Sequence, residues 1–525
     1  MPMRSRGSGS PSAGRWMAPP DGTAGRRRGP LEVWLFDHQV TLLAGALAIA
    51  LVAGLVAATR HTGPISSAAG PAASLSPTEQ LAGGQGPAGP SGSPSDAGGT
   101  AGGTGSISTR PTAGSGTGKT SEFGTLTASD RGVTKDSVTL GWLAPSVANM
   151  HYGATLGIPV LSYPAQDFID PFAKEINGAG GINGRSLNAR AVEYDMLSQD
   201  DWTAKCVAVA EDLKAFGAIT FAGYYGDAEV CLADKQIATV AFNTSSDATR
   251  AREKGWVRET RMGKDRLVKN WADWAIAGGV IKPSSRVGVV WVDNPEDTPL
   301  VSNVALAYLK SKGVNVVEKF QFSSDYSKTP TESASAVLRF KQSRVDVVWC
   351  NYDWFVNSFF LNQAESQNYR PKYSASDMGD ISNDITTQNY NANQWDRVRA
   401  LTVLRVGEIA AGKPLTPGQK QCQDAYAKFG GKAFKTNSDR DFMMYVCEHI
   451  WLWAKAARLA GPDLTRVKFL AAIDSLGTYN ERVATTDTLV FKKGRYTAAD
   501  NWAVIEWRKE CKCYWQVEGF RKGTW

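Results

Sequence analysis

The sequence predicts an α/β protein with two lobes, each built around a parallel sheet, preceded by a transmembrane helix and a disordered linker. Three observations lead to this fold class. A long uncharged apolar run lies near the N-terminus, and a segment of small residues follows it. From residue 133 onward, short apolar strands alternate with amphipathic helices, and this series occurs twice. Such alternation is typical of parallel sheets, because each helix carries the chain back to begin another strand in the same direction.

The apolar run is residues 40–58, "VTLLAGALAIALVAGLVAA", which has 19 residues and no charge. A helix of about this length crosses the hydrocarbon core of a bilayer. Six arginines precede it, so the positive-inside rule places the basic tail, residues 1–39, in the cytoplasm and the remainder outside. The sequence thus predicts a single-pass signal anchor in the cell membrane with an extracellular body. A cleaved signal peptide is the alternative.

Residues 59–131 form the predicted linker. Of the 70 residues from 61 to 130, 55 are Gly, Ser, Ala, Thr or Pro. This composition cannot bury a core, so we expect a disordered tether with a span on the order of 50 Å. The folded body is expected to occupy residues 132–525.

A glycine-rich segment, "EINGAGGINGRSL" at residues 175–187, resembles at first sight a phosphate-binding loop. Upstream, Phe168, Phe172 and Ile176 recur every four residues, which predicts a helix. Downstream, alternating apolar residues predict a strand. Phosphate-binding glycines stand in the opposite order, after a strand and before a helix. The segment is therefore predicted to be a turn that caps the helix and reverses the chain.

The body contains two βαβ series. The first covers about residues 132–265 and the second about residues 280–400, and several of their strands are continuously apolar, such as "AITFAG" and "VDVVWC". Continuously apolar strands indicate sheets covered on both faces. Helices predicted around residues 419–429, 442–459 and 466–476 follow, and the chain ends in alternating strands. We assign the C-terminal helices to lobe 2 and the C-terminal crossings to lobe 1.

Seven cysteines lie in the body, on the predicted extracellular side, where disulfides form. Two pairs have a spacing of 25 residues and are predicted to be bridged, and a C-x-C near the C-terminus is a third candidate. Cys350 ends an apolar run and is expected to be a buried free thiol. The alternative is that all are small core residues, because sequence alone does not fix connectivity. The disulfide candidates are Cys206, Cys231, Cys422, Cys447, Cys511 and Cys513.

Composition argues against several functions. Of the formal charge of +7, about +4 belongs to residues 132–525, and without a basic stripe nucleic-acid binding has little support. Only His151 and His449 lie in the body, which excludes a histidine-rich metal site, and no C-x-x-C suggests structural zinc. No nucleophile elbow or cofactor loop is present. We expect no cofactor and no enzyme, although His151 and paired aspartates are the best catalytic candidates.

The order of elements, the "INGAGGINGRSL" turn, "SSDYSKT" before a helix, the cysteines 25 apart and the final "LVFKKGRY" together resemble type I periplasmic binding proteins. The most similar branch is the branched-chain amino-acid (Leu/Ile/Val) binding proteins of ABC transporters. The resemblance covers roughly residues 132–518. It implies two Rossmann-like lobes joined by a hinge of crossing strands, which close on a small solute, and a permease partner in the membrane.

The candidate binding site consists of the loops at the carboxyl ends of the strands, where ligands bind in open parallel sheets. The resemblance places the solute against polar and aromatic residues in these loops, although each alone is equally explained as an ordinary loop residue. Four are aspartates with no obvious arginine nearby, and "YYGD" stands where amino-acid binders of this family offer hydroxyls. We therefore expect a cation or polyol-like polar solute, and ordinary branched-chain amino acids are in doubt. The site residues are Ser146, Tyr225, Gly226, Asp227, Thr244, Ser245, Asp293, Asn294, Tyr352, Asp353 and Asp377.

The sequence therefore predicts an extracytoplasmic, membrane-anchored solute-binding protein of an ABC-type importer, with a small polar solute such as an amino acid or amide. The alternative is a surface sensory or ligand-sequestering receptor of the same fold without a dedicated permease. The predicted cytoplasmic tail of 39 residues is too short for a signalling domain, which weighs against direct signalling.

Overall fold

The computed structural model describes residues 123–146, 161–196, 198–221, 226–351, 353–388 and 390–524. The predicted tail, the predicted anchor at residues 40–58 and nearly all of the linker lie outside these ranges. Among the described residues, no helix is both long enough and apolar enough to span a membrane.

Lobe 1 contains a five-stranded sheet. Its strands are β1 (Ser137–Pro145), β2 (Ser186–Tyr194), β3 (Gly217–Thr220), β4 (Ala238–Ala241) and β5 (Val257–Glu259). The order is β2-β1-β3-β4-β5, and every neighbouring pair is parallel. Every residue of β3 and β4 is buried, as expected for strands covered on both faces.

Four helices belong to this first series. They are α1 (Ala165–Gly178), α2 (Gln199–Val207), α3 (Asp227–Asp234) and α4 (Asp247–Arg252). A π-helical turn, Ala208–Asp212, continues α2. Helices α2 and α3 cover one face of the sheet, where Trp202 packs with Leu143 and Tyr194. Ser198 begins α2 by accepting a hydrogen bond from the backbone N–H of Asp201 at 3.2 Å.

The glycine-rich segment is a turn, which confirms the prediction. It lies between α1 and β2, and Gly180, Gly181 and Gly184 have φ values of 90°, 67° and 86°. At Gly181 an added Cβ would lie 2.0 Å from the carbonyl oxygen of Arg185. A side chain at this position is therefore excluded by the backbone as well as by φ.

Lobe 2 contains a larger, mixed sheet. The remaining strands are β6 (Val287–Val292), β7 (Val316–Phe322), β8 (Val347–Asn351), β9 (Lys372–Ser376), β10 (Arg399–Thr402), β11 (Gly477–Tyr479), β12 (Leu489–Phe491), β13 (Asn501–Arg508) and β14 (Cys513–Lys522). Seven of them form the sheet β14-β13-β10-β9-β8-β6-β7. Strand β13 runs antiparallel to both its neighbours, whereas the other pairs are parallel. Strands β11 and β12 form a separate antiparallel pair.

Helices also cover the second sheet. They are α5 (Lys264–Ala277), α6 (Asp297–Pro299), α7 (Leu306–Ser311), α8 (Thr329–Gln342), α9 (Trp354–Ser366), α10 (Asp384–Thr387) and α11 (Ala392–Trp395). A π-helical turn, Leu300–Ala305, joins α6 to α7. Helix α5 packs on the sheet through Trp271, whose ring stacks on Trp349 of β8 with centroids 3.6 Å apart. The two parallel-sheet lobes are thus present as predicted.

The C-terminal helices pack on lobe 1, so their assignment to lobe 2 was wrong. They are α12 (Pro417–Lys428), α13 (Asn437–Leu459) and α14 (Arg466–Ser475). Phe442 of α13 meets Phe168 of α1 edge-on at 5.1 Å, and Phe469 of α14 meets Phe216, next to β3, at 5.9 Å. The final strands β13 and β14 instead extend the lobe 2 sheet. An apolar helix face shows that a helix is packed, but not on which of two sheets.

Three disulfides are present, each within one lobe. Cys206 of α2 is bonded to Cys231 of α3, and Cys422 of α12 to Cys447 of α13. The C-x-C forms the third bridge, from Cys511 to Cys513, in the turn between β13 and β14. Cys350 is buried and takes part in no disulfide.

Three chain crossings connect the lobes. The first follows β5, the second runs from β10 to α12, and the third runs from α14 to β13. They contact one another: Glu259 forms a parallel bridge with Thr497, and Leu404 an antiparallel bridge with Thr485. Helix α13 supports the third crossing through the buried carboxylate of Glu448, which accepts the backbone N–H of Ala484 at 2.8 Å.

Candidate functional site

A small cavity lies where the carboxyl ends of the two parallel sheets face each other. Lobe 1 contributes the loop after β4, lobe 2 contributes loops after β6 and β9, and the first crossing contributes two cations. The volume is about 20 Å³, room for roughly one water molecule, so the lobes are closed on each other. The lining residues are Asn243, Thr244, Arg261, Lys264, Leu267, Asp297, Asp377, Met378, Gly379 and Asp380.

Arg261 joins the first crossing to lobe 2 across this cavity. Its guanidinium donates to Asp380 Oδ1 at 2.9 Å and to the carbonyl oxygen of Asp377 at 2.8 Å, and it lies 5.0 Å from the ring centroid of Phe242. Burial by itself would lower the pKa of this guanidinium, but Asp377 and Asp380 raise it above its usual value. Arg261 is therefore a fixed positive charge with carboxylates on one side.

Lys264 begins α5 and contacts two carboxylates from the loop after β6. Its Nζ lies 3.2 Å from Asp297 Oδ1 and 3.3 Å from Glu296 Oε1. Burial lowers the pKa of Lys264, but Asp297 and Glu296 outweigh burial and raise it. The ammonium stays charged although only 7% of the residue is exposed.

Glu296 extends from lobe 2 to lobe 1. It accepts the backbone N–H of Ser246 at 2.5 Å and the Ser246 hydroxyl at 3.1 Å, and it also accepts the hydroxyl of Thr249. Burial would raise the pKa of this carboxyl, but Lys264 and the hydrogen bonds lower it below its usual value. The ionised side chain of Glu296 in lobe 2 thus forms hydrogen bonds with lobe 1.

The carboxylate of Asp377 is hydrogen-bonded within its own lobe and lies 3.7 Å from the guanidinium of Arg261. It accepts the backbone N–H of Val403 at 2.5 Å and the hydroxyl of Ser382. Burial raises its pKa despite the nearby Arg261. Asp377 therefore fixes the geometry of the cavity wall while lining it.

Of the residues predicted from sequence, Thr244 and Asp377 line the cavity. Ser245 is adjacent, but its hydroxyl donates to Glu253 at 2.8 Å and its backbone N–H to Glu259 at 2.9 Å. These two hydrogen bonds hold Ser245 against other residues of lobe 1 rather than in the cavity lining.

The lobe 2 candidates outside the cavity have structural partners. Asp353 precedes α9, where its carboxylate accepts the backbone N–H groups of Phe355 and Val356, both at 2.9 Å. Asn294 Oδ1 accepts the backbone N–H groups of Glu296 and Asp297 at 3.0 and 2.6 Å, so it shapes the loop that reaches lobe 1. Asp293 is exposed and accepts the Thr298 hydroxyl at 3.0 Å.

The remaining lobe 1 candidates also lie outside the cavity lining. Asp227, at the start of α3, is about half exposed and pairs with Arg252 at 2.5 Å. Gly226 precedes it with φ 69°. The backbone N–H of Ser146 donates to the carbonyl of Tyr194 at 2.8 Å. Tyr225 and Tyr352 lie outside the described residues.

Sequence reasoning missed the cations of the site. The expectation was an acidic site without an arginine, whereas Arg261 and Lys264 both line this cavity. The signal was available: "RETRMGKD" at residues 258–265 begins in the last strand of lobe 1, at the same edge as the other candidate loops. In the loop "DNPEDT", Asp297 lines the cavity and Glu296 contacts Lys264, whereas the predicted Asp293 is exposed.

A group of buried carboxyl groups lies behind the loop after β4. Glu229 accepts the Thr220 hydroxyl at 2.6 Å, and burial raises its pKa well above the usual value. Burial likewise raises the pKa of Glu253 to about 7 and that of Glu259 to about 8. Arg250 lies 3.3 Å from Glu259 Oε2 and partly offsets the effect.

A larger cavity of about 200 Å³ lies beside the crossings. Its walls include Gly407 of the second crossing, Ala484 of the third and Tyr445 of α13. Burial, followed by the neighbouring Asp441, raises the pKa of Asp384 in this cavity to about 8. This cavity borders hinge segments rather than strand ends, so the smaller interlobe cavity is the candidate solute site.

Comparison with known proteins identifies the family to which this fold belongs. The model of the family described as periplasmic binding protein matches residues 167–512. This chain belongs to the periplasmic binding protein family. The predicted resemblance to type I binding proteins is thereby confirmed. No curated protein sequence matches this periplasmic binding protein.

Solved structures of similar fold cover about three quarters of this periplasmic binding protein. A fatty acid ABC transporter substrate-binding protein from Thermomonospora curvata has 15% identity and a TM-score of 0.55, covering 75% of this chain and 94% of its own. A branched-chain amino acid ABC transporter protein from Thermus thermophilus with bound valine has 12% identity and a TM-score of 0.55, covering 74% and 97%. A solute-binding protein from R. palustris in complex with 4-hydroxybenzoate has 10% identity and a TM-score of 0.55, covering 74% and 98%. At such identities the likeness concerns the fold.

Proposed function

We propose that this periplasmic binding protein is the extracytoplasmic, membrane-anchored solute receptor of an ABC-type importer. One observation carries the proposal: both lobes present the carboxyl ends of parallel strands to one charged cavity, and the chain passes between the lobes in crossings that can act as a hinge. A ligand that contacts both walls favours closure, because those contacts do not exist in the open form.

The solute we propose is small, polar and either neutral or cationic, such as an amide or an amino acid derivative. Four carboxyl groups, Glu296, Asp297, Asp377 and Asp380, surround two cations, Arg261 and Lys264, which leaves a net negative wall. Carboxylates accept hydrogen bonds from N–H groups and favour positive charge. Among the described residues, the buried Nε of Arg261 has no hydrogen-bond partner, so it is available to a neutral acceptor such as a carbonyl oxygen.

A thermal-shift screen of the purified protein against amides, amino acids, polyamines and sugars tests this proposal, since a ligand that binds only the folded state raises the melting temperature. For a hit, calorimetry compares Asp380→Asn with Asp424→Asn, an exposed acid of α12. We expect Asp380→Asn to weaken binding by about tenfold or more, while Asp424→Asn leaves it unchanged. Equal affinity in a folded Asp380→Asn protein would contradict the assignment of the cavity.

The location and the partner are tested in cells. Protease added to intact cells is expected to cut the linker and release the body, and a body that stays protected in the cytosol would refute the importer role. Deletion of the gene is expected to reduce uptake of the identified solute. If uptake is unchanged although the solute binds, the protein is a sensory or sequestering receptor instead.

A further inference from the structure

The carboxylate of Glu296 has the surroundings of a bound ligand rather than of a surface side chain. It is 2% exposed and contacts one backbone N–H and two hydroxyls of lobe 1, contributed by Ser246 and Thr249. The ammonium of Lys264 lies 3.3 Å away. The Cβ of Glu296 lies 3.6 Å from the position that a Cβ on Gly226 would occupy. Glu296 therefore also packs against the start of α3.

An amide, two hydroxyls and an ammonium are the donors that a free carboxylate solute requires, because a buried carboxylate is stable only when its oxygens are fully hydrogen-bonded and its charge is balanced. In this protein those donors are already used by the chain itself. A second carboxylate placed beside Glu296 would face Asp297, Asp377 and Asp380, whose negative charges outnumber the positive charges of Arg261 and Lys264, and would therefore be repelled.

We propose that Ser246, Thr249 and Lys264 form a carboxylate-accepting group in the cleft, and that the side chain of Glu296 fills it. Glu296 is then a specificity-determining residue. The protein closes on its own anion and so rejects solutes with a free carboxylate. Replacement of Glu296 by a shorter side chain opens this group to small carboxylates. The part of the inference that concerns the natural solute rests on the proposed function, whereas the carboxylate-accepting group does not.

The test is chemical rescue of Glu296→Ala in the full-length protein, with sodium acetate as the probe. Alanine keeps the Cβ, so acetate replaces the missing Cγ and carboxylate. Melting temperature and tryptophan fluorescence are measured in acetate, in sodium chloride at equal ionic strength and in acetamide, which has the shape of acetate but no charge. We expect acetate to stabilise Glu296→Ala saturably, with a Kd at least about tenfold lower than for the wild type, and acetamide to have no such effect.

Two further variants keep the result interpretable. Glu296→Gln fills the same volume without charge and is expected to show no acetate effect. Adding Lys264→Met to Glu296→Ala is expected to abolish the rescue. If Glu296→Ala folds poorly, its refolding yield in acetate against chloride becomes the measurement, with a higher yield in acetate expected. Equal effects of acetate on the wild type and on Glu296→Ala, or equal effects of acetate and acetamide on the variant, would overturn the proposal.

The result of the acetate experiment can be interpreted independently of whether the proposed function is correct. Rescue by acetate supports the carboxylate-accepting group even if no natural solute is found. A natural solute that carries a carboxylate and binds the wild type through Ser246 would refute the specificity inference while supporting solute binding.

Discussion

The buried carboxyl of Glu253 provides a stability test that separates charge from packing. Glu253 follows the last residue of α4, is 2% exposed and accepts the Ser245 hydroxyl at 2.8 Å. Burial raises its pKa from 4.5 to about 7, with a further rise from Glu296 and opposing effects of Ser245 and Arg250. The groups that act on Glu253 are therefore the Ser245 hydroxyl, the cations Arg250 and Arg252, and the carboxylate of Glu296.

A carboxyl whose pKa is raised by folding binds its proton more tightly in the folded chain than in the unfolded one. Its stabilising effect is fully present below the unfolded pKa of 4.5 and is lost as the pH rises through about 7. A shift of this size corresponds to about 3 kcal/mol, at about 1.4 kcal/mol for each unit of pKa. Burial raises the pKa of Glu259 to about 8. Its ionisation therefore also lowers the free energy of unfolding as the pH rises.

Substitution of Glu253 by glutamine keeps the shape and an acceptor for Ser245 but removes the ionisation. We expect the free energy of unfolding of the wild type to fall between about pH 5 and pH 8, and that of Glu253→Gln to fall by about 3 kcal/mol less. Urea denaturation across this range measures both. Glu510→Gln, an exposed acid, is the control and is expected to follow the wild type. Parallel stability curves for the wild type and Glu253→Gln would refute the role assigned to this carboxyl.

Three further predictions concern stability and covalent structure. Glu448→Ala leaves hydrogen-bond donors of the third crossing unpaired, so we expect a loss of about 3–5 kcal/mol in urea denaturation; a loss below about 1 kcal/mol would contradict it. Asp353→Ala removes the cap of α9 and is expected to cost about 1 kcal/mol whether or not a solute contacts it; an unchanged melting temperature would show that the cap is dispensable. Peptide mapping without reductant is expected to find three bridges and only Cys350 alkylated after denaturation; alkylation of Cys206 or Cys422 would contradict this pairing.

The elements that sequence predicted best are those whose evidence is local. Strands β3 and β4 are continuously apolar because both faces are covered, and the glycine turn has positive φ values that the composition signals directly. The location of α13 could not be predicted in this way. Its apolar face fits either sheet, and its packing against α1 depends on residues more than 250 positions apart, such as Phe168 and Phe442.

Sequence placed the candidate site at the strand ends, and two of the predicted residues, Thr244 and Asp377, line the interlobe cavity. Sequence could not show which polar side chains turn inward, because that depends on partners in the other lobe. Asp353 turns to the backbone of its own helix, whereas Arg261, in the crossing, reaches Asp380.

The affinity for a solute depends on the equilibrium between the open and closed arrangements of the lobes. The closed cavity of about 20 Å³ has no room for a molecule of amino acid size, so the lobes must separate before a solute enters. Separation breaks the contacts of Glu296 with Ser246 and Thr249. The affinity of a solute for a protein whose binding-competent form is a minor state is reduced by the population of that state. Thr249 lies outside the lining of the closed cavity, so substitutions there are expected to change the affinity of a solute without a carboxylate through the open–closed equilibrium.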